Sequence, residues 1–352
     1  MKTLLKWPGG KEKELPVIKK NIPQYNGRYV EPFVGGGAVF FDTYNSKCCI
    51  NDKSWDLINF YLNIKKRNET FKNTLYQINN AMTALSNFVD INYDELLKVY
   101  LREETIDTFI TTKEVFFNNL VSKSSKVFKK EISRNLNSKI TRSANLEKKK
   151  GYIPEKDRIE NMESALKSSY YMYIRYLYNH PELLTDSEKA SVFFFIREYC
   201  YSSMFRYNKK GNFNVPYGGI SYNRKDLRKK IDYIFSDEVY KKLNDADIKC
   251  EDFEDFFRHI RLTRDDFVFL DPPYDTDFST YDQNEFGRNE QIRLRDCLNE
   301  TQAKFLLIIK NTDFIYDLYK DNFRIQSFDK KYRVSFMNRN AKDAEHLIIT
   351  NY

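Results

Sequence analysis

Phe267-Val268-Phe269-Leu270-Asp271-Pro272-Pro273-Tyr274 decides how this chain is read. The four apolar residues have the length and content of a buried strand. The two prolines forbid its continuation as strand or helix. A carboxylate, two proline carbonyls and an aromatic ring are thereby fixed at the carboxyl end of a strand. In open α/β sheets ligands bind at that edge. The group suits an amine on a planar ring. Asp271 and a proline carbonyl accept both hydrogens of an exocyclic NH₂, Tyr274 stacks on the ring, and the nitrogen lone pair is left facing an electrophile. The plainer reading is a strand closed by a turn, since Asp-Pro and Pro-Pro are common breakers.

The 352 residues suffice for one large domain or two modest ones with a real core. The formal charge is +8. Residues 123–150 hold ten Lys/Arg and two Glu, which is also +8, so the remaining 48 basic and 48 acidic residues cancel. Two readings of this stretch stand: a solvated, mobile loop, or a flexible arm along a phosphate backbone. The five cysteines have no metal-ligand spacing and only three histidines occur, His180, His259 and His346. A zinc site or a histidine-based triad is not expected, and no metal is assigned. The N-terminus lacks a signal-peptide core and no apolar run is long enough to span a bilayer. A cytoplasmic, reduced setting follows, with no membrane partner.

Residues 28–60 read as strand, glycine loop, helix, strand. Residues 28–33 are strand-like, Val34-Gly35-Gly36-Gly37 is a loop, Ala38 starts a helix, and Cys48-Cys49-Ile50 is a second strand ending at Asn51-Asp52. From about 65 to 190 the chain is polar and helical, with amphipathic stretches at 94–101 and 165–178. Ser187 is placed as the cap of a helix reaching about residue 203. Residues 206–222 are rich in turn formers. Strand and helix alternate again from about Ile248, with strands at 267–270 and 304–309 and two more candidates at 332–336 and 345–350.

Gly35-Gly36-Gly37 between strand and helix is a nucleotide-type loop, because glycines let a ligand approach the backbone closely. A plain tight turn would look the same. Asp52, 17 positions after Gly35 and at the end of the second strand, is placed to bind a ribose diol. No lysine follows the glycines to grip phosphates. A nucleoside with a cationic centre would fit the Glu31 and Asp52 carboxylates, and S-adenosylmethionine is such a ligand. Lys6-Trp7-Pro8-Gly9-Gly10-Lys11 also stands out. Its lysines suit a carboxylate or phosphate, and Trp7 suits covering an aliphatic or cationic group; an exposed turn with a packed Trp is the plainer alternative.

Taken together, these segments resemble the Dam type of DNA adenine N6-methyltransferase (alpha order, D12 class). The resemblance is carried by residues 6–11, 31–37, Asn51-Asp52, 206–218 and 271–274, in the family's order, over about 1–64 and 190–352. It implies an α/β fold: a Rossmann-like class I methyltransferase sheet with a mainly helical target-recognition insertion. The catalytic domain would be discontinuous, 1–64 and 245–352, and the insertion 65–244. By resemblance Trp7, Lys11, Glu31, Phe33, Gly35, Gly37, Asp52, Asp252, Phe253 and Asp271 would bind S-adenosylmethionine, Asp252-Phe253 holding its adenine. Asp271, Pro272, Pro273 and Tyr274 would hold the target adenine. Lys6 and Arg206 would read bases of a GATC-like site and Tyr201 would wedge into the duplex. Ser202 stands where relatives can carry Asn. Asn208, Asn214 and Tyr217 complete the DNA-binding set.

The expected partner is double-stranded DNA, bound by a monomer, with a separate cognate restriction endonuclease as a further possibility. The setting would be a bacterial or phage-infected cell, at the nucleoid. Cytosine N4 and RNA adenine are alternative targets; Asp rather than Ser before Pro-Pro-Tyr favours adenine by family analogy. A DNA-binding relative without turnover is a third alternative, against which the intact 271–274 motif speaks.

Overall fold

The central strand of the sheet, Phe267–Leu270, is buried at all four positions, as a strand covered on both faces must be. The structure is a computed structural model that describes residues 1–44, 47–112, 119–274, 286–331 and 343–352. The chain forms two compact units. One comprises Met1–Arg67, Phe205–Gly211 and Ile234–Tyr352, the other Asn68–Met204 and Asn212–Tyr233. These bounds give 205–211 and 234–244 to the sheet unit, unlike the boundaries read from sequence. Phe205 meets Trp7 edge-on at 5.0 Å, and Lys242 donates to the Thr43 carbonyl at 2.7 Å.

The sheet has seven strands: β1 (Tyr29–Glu31), β2 (Cys48–Asn51), β3 (Ala246–Lys249), β4 (Phe267–Leu270), β5 (Lys304–Lys310), β6 (Arg324–Lys331) and β7 (Asp343–Thr350). Their order is β3-β2-β1-β4-β5-β7-β6. The first five run parallel, and β7 is antiparallel to both its neighbours. This is the class I methyltransferase sheet. The chain builds outward from β1 to β3 and then returns to the other side of β1 with β4. A crevice therefore opens past the carboxyl ends of β1 and β4, where successive connections leave in opposite directions. At the amino ends of the same two strands, Asp266 accepts from Arg28 Nη2 at 2.8 Å, from the Arg28 N–H at 2.7 Å and from the Thr263 N–H at 2.9 Å.

Alternate strand residues serve opposite faces. Val268, Leu270, Phe305 and Leu307 join Phe256, Leu294 and Ile315 in one continuous core. Those partners lie on helices Phe253–Ile260, Arg288–Glu300 and Asp313–Tyr319. The edge strand β6 was not anticipated: Arg324, Gln326 and Lys330 break its apolar content, as befits a strand with one unpaired edge. The strand expected at 332–336 lies outside the described residues.

The second unit holds helices Glu69–Ile91, Tyr93–Leu101, Ile106–Thr112, Ser125–Lys150, Glu155–Tyr178 and Asp186–Tyr199. Two expectations need correcting. The last of these helices starts after Thr185, not Ser187: Thr185 and Glu188 form a capping box, each side chain accepting from the other residue's N–H. The basic stretch is neither loop nor loose arm. It is a 26-residue helix that buries Phe128, Ile132, Leu136 and Ile140. Their four-residue spacing makes a stripe along one face. Phe128 meets Tyr170 and Tyr173 at 6.0 and 5.5 Å. Among the described residues no helix is long and apolar enough to cross a membrane.

Candidate active site

The loop leaving β1 turns through two left-handed glycines, Gly35 (φ 47°) and Gly37 (φ 71°). Side chains resist that backbone, so glycine is the residue that permits the turn. The Gly35 N–H donates to Asp52 Oδ2 at 3.0 Å and its carbonyl accepts from Tyr61 at 2.8 Å. The Gly37 N–H reaches back to the Val34 carbonyl at 2.7 Å. Space above the loop is taken by Trp7. A Cβ added at Gly35 would lie 2.8 Å from the indole nitrogen, and one at Gly36 would lie 2.9 Å from the Trp7 Cβ.

The other end of the same N-terminal turn reaches β4. Lys11, only 3% exposed, donates from Nζ to Asp271 Oδ2 at 2.6 Å and to the Gly9 carbonyl at 2.9 Å. Its ammonium also lies 5.2 Å from the centre of the Tyr274 ring. The Tyr274 hydroxyl points to Asp271 Oδ1 at 3.5 Å. Thus residues 7–11 join the two motifs the sequence singled out: Trp7 lies on the glycine loop and Lys11 grips the motif carboxylate. Lys11 and Asp271, both expected at the cofactor, are in direct contact.

Two buried residues fix the rest of the 271–274 turn. Gln291 donates to the Pro273 carbonyl at 3.2 Å. His346, fully buried on β7, lies 5.5 Å ring-to-ring from Tyr274. Pro272 is buried and Pro273 exposed.

On the β2 side, Asp52 accepts from the Gly35 N–H with one oxygen and from the Ser54 N–H at 2.9 Å with the other. The carboxylate is half-buried at the end of β2. Asn51 beneath it donates to the Pro32 and Glu251 carbonyls at 3.1 and 3.0 Å and accepts from the Glu251 N–H at 2.9 Å. Beyond β3, Phe253 forms an aromatic wall with Phe33 and Phe286, centroids 5.5 to 5.6 Å apart. Asp252 caps the helix of Phe253 and accepts from Arg293 at 2.7 Å.

Glu31 departs from expectation. It is 2% exposed, and the Tyr29 hydroxyl donates to it at 2.6 Å. Burial pushes its carboxyl well above the usual carboxylate range. As placed it supports the strand end and offers no exposed charge to a cation.

The family model for the D12 class N6 adenine-specific DNA methyltransferases matches this chain over residues 7–164 and 152–334. The chain belongs to that family. It is 27% identical to the Type II methyltransferase M.CviBI of Paramecium bursaria Chlorella virus NC1A over 358 residues, covering all of both chains. It is also 27% identical to the Type II methyltransferase M.MjaIII of Methanocaldococcus jannaschii over 372 residues, covering 100% of this chain and 99% of that one. Identity to the DNA adenine methylase of Haemophilus influenzae is 24% over 327 residues, covering 90% and 82%. The protein is an adenine-specific DNA methyltransferase. It transfers a methyl group from a donor cofactor to adenine N6 in DNA.

Within the methyltransferase, the residues expected at DNA fall in both units. In the sheet unit, Lys6 is exposed and Arg206 half-buried. Their neighbours Trp7 and Phe205 are in edge-on contact, so two cations 200 positions apart in sequence reach one neighbourhood. Asn208 is exposed, and its side chain accepts from the Lys210 N–H at 2.9 Å. In the second unit, Tyr201 is 37% exposed on a short 3₁₀ turn, followed by Ser202 and Ser203, both left-handed at φ 52°. The buried Arg197 holds that turn by donating to the Ser203 carbonyl and, at 3.0 Å, to the Met204 carbonyl. Asn214 is half-buried.

Tyr217, expected at DNA, is packed inside the second unit. It is 8% exposed, 5.7 Å from Tyr171 ring-to-ring, and its hydroxyl donates to Asn223 at 3.2 Å. The ring lies inside because residues 216–218 pair back on residues 199–201 at the end of helix Asp186–Tyr199. Sequence reading also passed over Tyr61, Arg197, Gln291 and His346. Only their burial and partners mark them, and neither shows in a single sequence.

Proposed function

We propose that the methyltransferase uses S-adenosylmethionine to methylate an adenine rotated out of duplex DNA, at a GATC-like site. The observation that carries this reading is the Lys11–Asp271–Tyr274 cluster at the sheet crevice, joined by residues 7–11 to the Gly35–Gly37 loop. S-adenosylmethionine, when bound, supplies a methyl carried on a sulfonium. The loop with Asp52 fits its ribose, and the Phe33–Phe253 wall fits an adenine ring; Asp252, already held by Arg293, fits less well.

An adenine amine cannot reach a pocket while stacked in the duplex, so the base must leave the stack. Tyr274 supplies a stacking face. A carboxylate oxygen can accept more than one hydrogen bond, and Asp271 accepts one amine hydrogen. The Pro272 carbonyl accepts the other, because Gln291 already occupies Pro273. Both acceptors draw density toward the amine nitrogen. Lys11 holds the carboxylate in place. Catalysis is then positioning and electrostatics, with no covalent enzyme intermediate. Lys6 and Arg206 read base edges, each bidentate cation–guanine contact discriminating by about 1–3 kcal/mol. Tyr201 and Ser202 act where the stack opens.

The test uses labelled S-adenosylmethionine, duplexes with and without GATC, and digestion to nucleosides. Label in N6-methyladenine from the GATC duplex is the expected result, lost in Asp271→Ala while cofactor binding persists. Label in cytosine, or normal turnover by Asp271→Ala, would overturn the proposal.

A further inference from the structure

The helix Ser125–Lys150 carries nearly all of the chain's net positive charge, and it wears that charge outward. Lys126, Lys129, Lys130, Arg134, Arg142 and Lys148 are exposed, while Phe128, Ile132, Leu136 and Ile140 hold the opposite face in the core. From Lys126 to Lys148 the helix rises ~33 Å, about one turn of B-form duplex. It is anchored to helix Glu155–Tyr178, where Ser169 donates to the Glu131 carbonyl at 3.1 Å and Ser168 to the Asn135 side-chain oxygen at 3.2 Å.

The charge placement costs the helix stability. Lys126 and Lys130, and Lys130 and Arg134, are like charges four residues apart, each pair unfavourable by a few tenths of a kcal/mol. The first turn has no acidic residue, so Lys126 and Lys129 oppose the helix dipole. A face that served only solubility would intersperse both signs. Glu131, which pairs with Arg134 at 2.6 Å, and Glu147 are the acidic residues of the helix, and Asp107 borders it beside Ser133 at 3.3 Å. They leave a net cationic surface.

We propose that this face is a sequence-independent docking surface for the phosphate backbone of duplex DNA, outside the recognition site. A polyanion relieves both the like-charge repulsion and the dipole mismatch, and releases counterions as it binds. This rests on the reading that duplex DNA is the substrate. The face adds affinity and sets its salt dependence; it does not choose the base.

The test is a variant with Lys126→Gln, Lys130→Gln, Arg134→Gln and Lys148→Gln, all on the exposed face. Binding to a 40-base-pair duplex, with or without the methylation site, is measured across salt concentrations. The slope of log K against log salt should become shallower by about 0.9 for each phosphate no longer neutralised, so by up to ~3.6. The drop should be the same for both duplexes, with kcat at saturating DNA unchanged. A charge-reversed set, with Glu at the same positions, should weaken binding further. An unchanged slope overturns the proposal, as does a loss confined to the site-bearing duplex. Unaltered duplex binding with lost binding to RNA hairpins or anionic vesicles would assign the face to another polyanion and also overturn it. Failure of the base-flipping reading would show as absent N6-methyladenine in the unsubstituted protein, whatever the slope.

Discussion

Replacing Lys11 by Met should be among the most damaging single changes near the crevice, and the structure sets its size. The ammonium is 2.6 Å from Asp271 Oδ2 and 3.9 Å from Glu14 Oε2, in a position with 3% exposure. At an effective dielectric of about 20, charges at the shorter distance attract by ~6 kcal/mol. Desolvating Lys11 consumes much of this, and Asp271 keeps a fifth of its side chain in solvent, so screening takes a further share. A net coupling of about 2 kcal/mol remains. Urea denaturation at neutral pH of Lys11→Met, Asp271→Asn and the double variant reads it directly. Lys11→Met alone should cost about 3 kcal/mol, because it leaves two carboxylates near each other without their cation. The double variant should lose about 2 kcal/mol less than the two singles summed. Additivity within about 0.5 kcal/mol would show that the two side chains do not depend on each other, and the positioning role given to Lys11 would go with it.

Gly35→Ala must hold a left-handed Cβ, at roughly 1–2 kcal/mol, and push aside the Trp7 indole. S-adenosylmethionine affinity by calorimetry should fall more than tenfold, and an unaltered affinity would separate the loop from the cofactor. At the other end of the sheet, burial raises the Asp266 carboxyl but the Arg28 guanidinium and the Arg28 and Thr263 N–H groups prevail, holding it at about 2. Because the folded value lies below the unfolded one, the stabilisation of about 2 kcal/mol is present above pH ~4 and vanishes as pH falls toward 2. The stability difference between the parent and Asp266→Asn should narrow over that window in denaturant titrations. Arg197→Met removes charge-assisted bonds to the Ser203 and Met204 carbonyls and should cost about 2 kcal/mol. Adding Ser202→Gly should recover about 1 kcal/mol by easing the left-handed turn, measured by thermal denaturation.

The sheet was legible because its strands are apolar and short, and turn-forming residues follow them: Pro272 after β4, Pro32 after β1, Asp52 after β2. β6 was not, because an edge strand with polar side chains carries little periodic signal. The crevice residues were legible by type and spacing, but not their mutual partners. Lys11 and Asp271 are 260 positions apart, and nothing local predicts that they form a pair. The burial of Glu31 and Tyr217 was not legible for a common reason: a polar tip says what a residue can bond, while the fold decides what it meets. The stretch 123–150 misled because its charge outweighed a stripe of four apolar residues that any amphipathic helix of this length needs.

Asn51 has a consequence for how the crevice accommodates ligands. A single side-chain amide ties the Pro32 carbonyl past β1 to the Glu251 backbone past β3, from its own seat on β2. Three strand ends are riveted by one planar group whose donor and acceptor sides are both used. The bottom of the crevice therefore shifts as a block or not at all. Accommodation falls to what lies above it, the Trp7 indole and the glycine turn. Exchange of one nitrogen for oxygen at Asn51, as spontaneous deamidation brings about, would set a negative oxygen against two carbonyls and unfasten all three strands together.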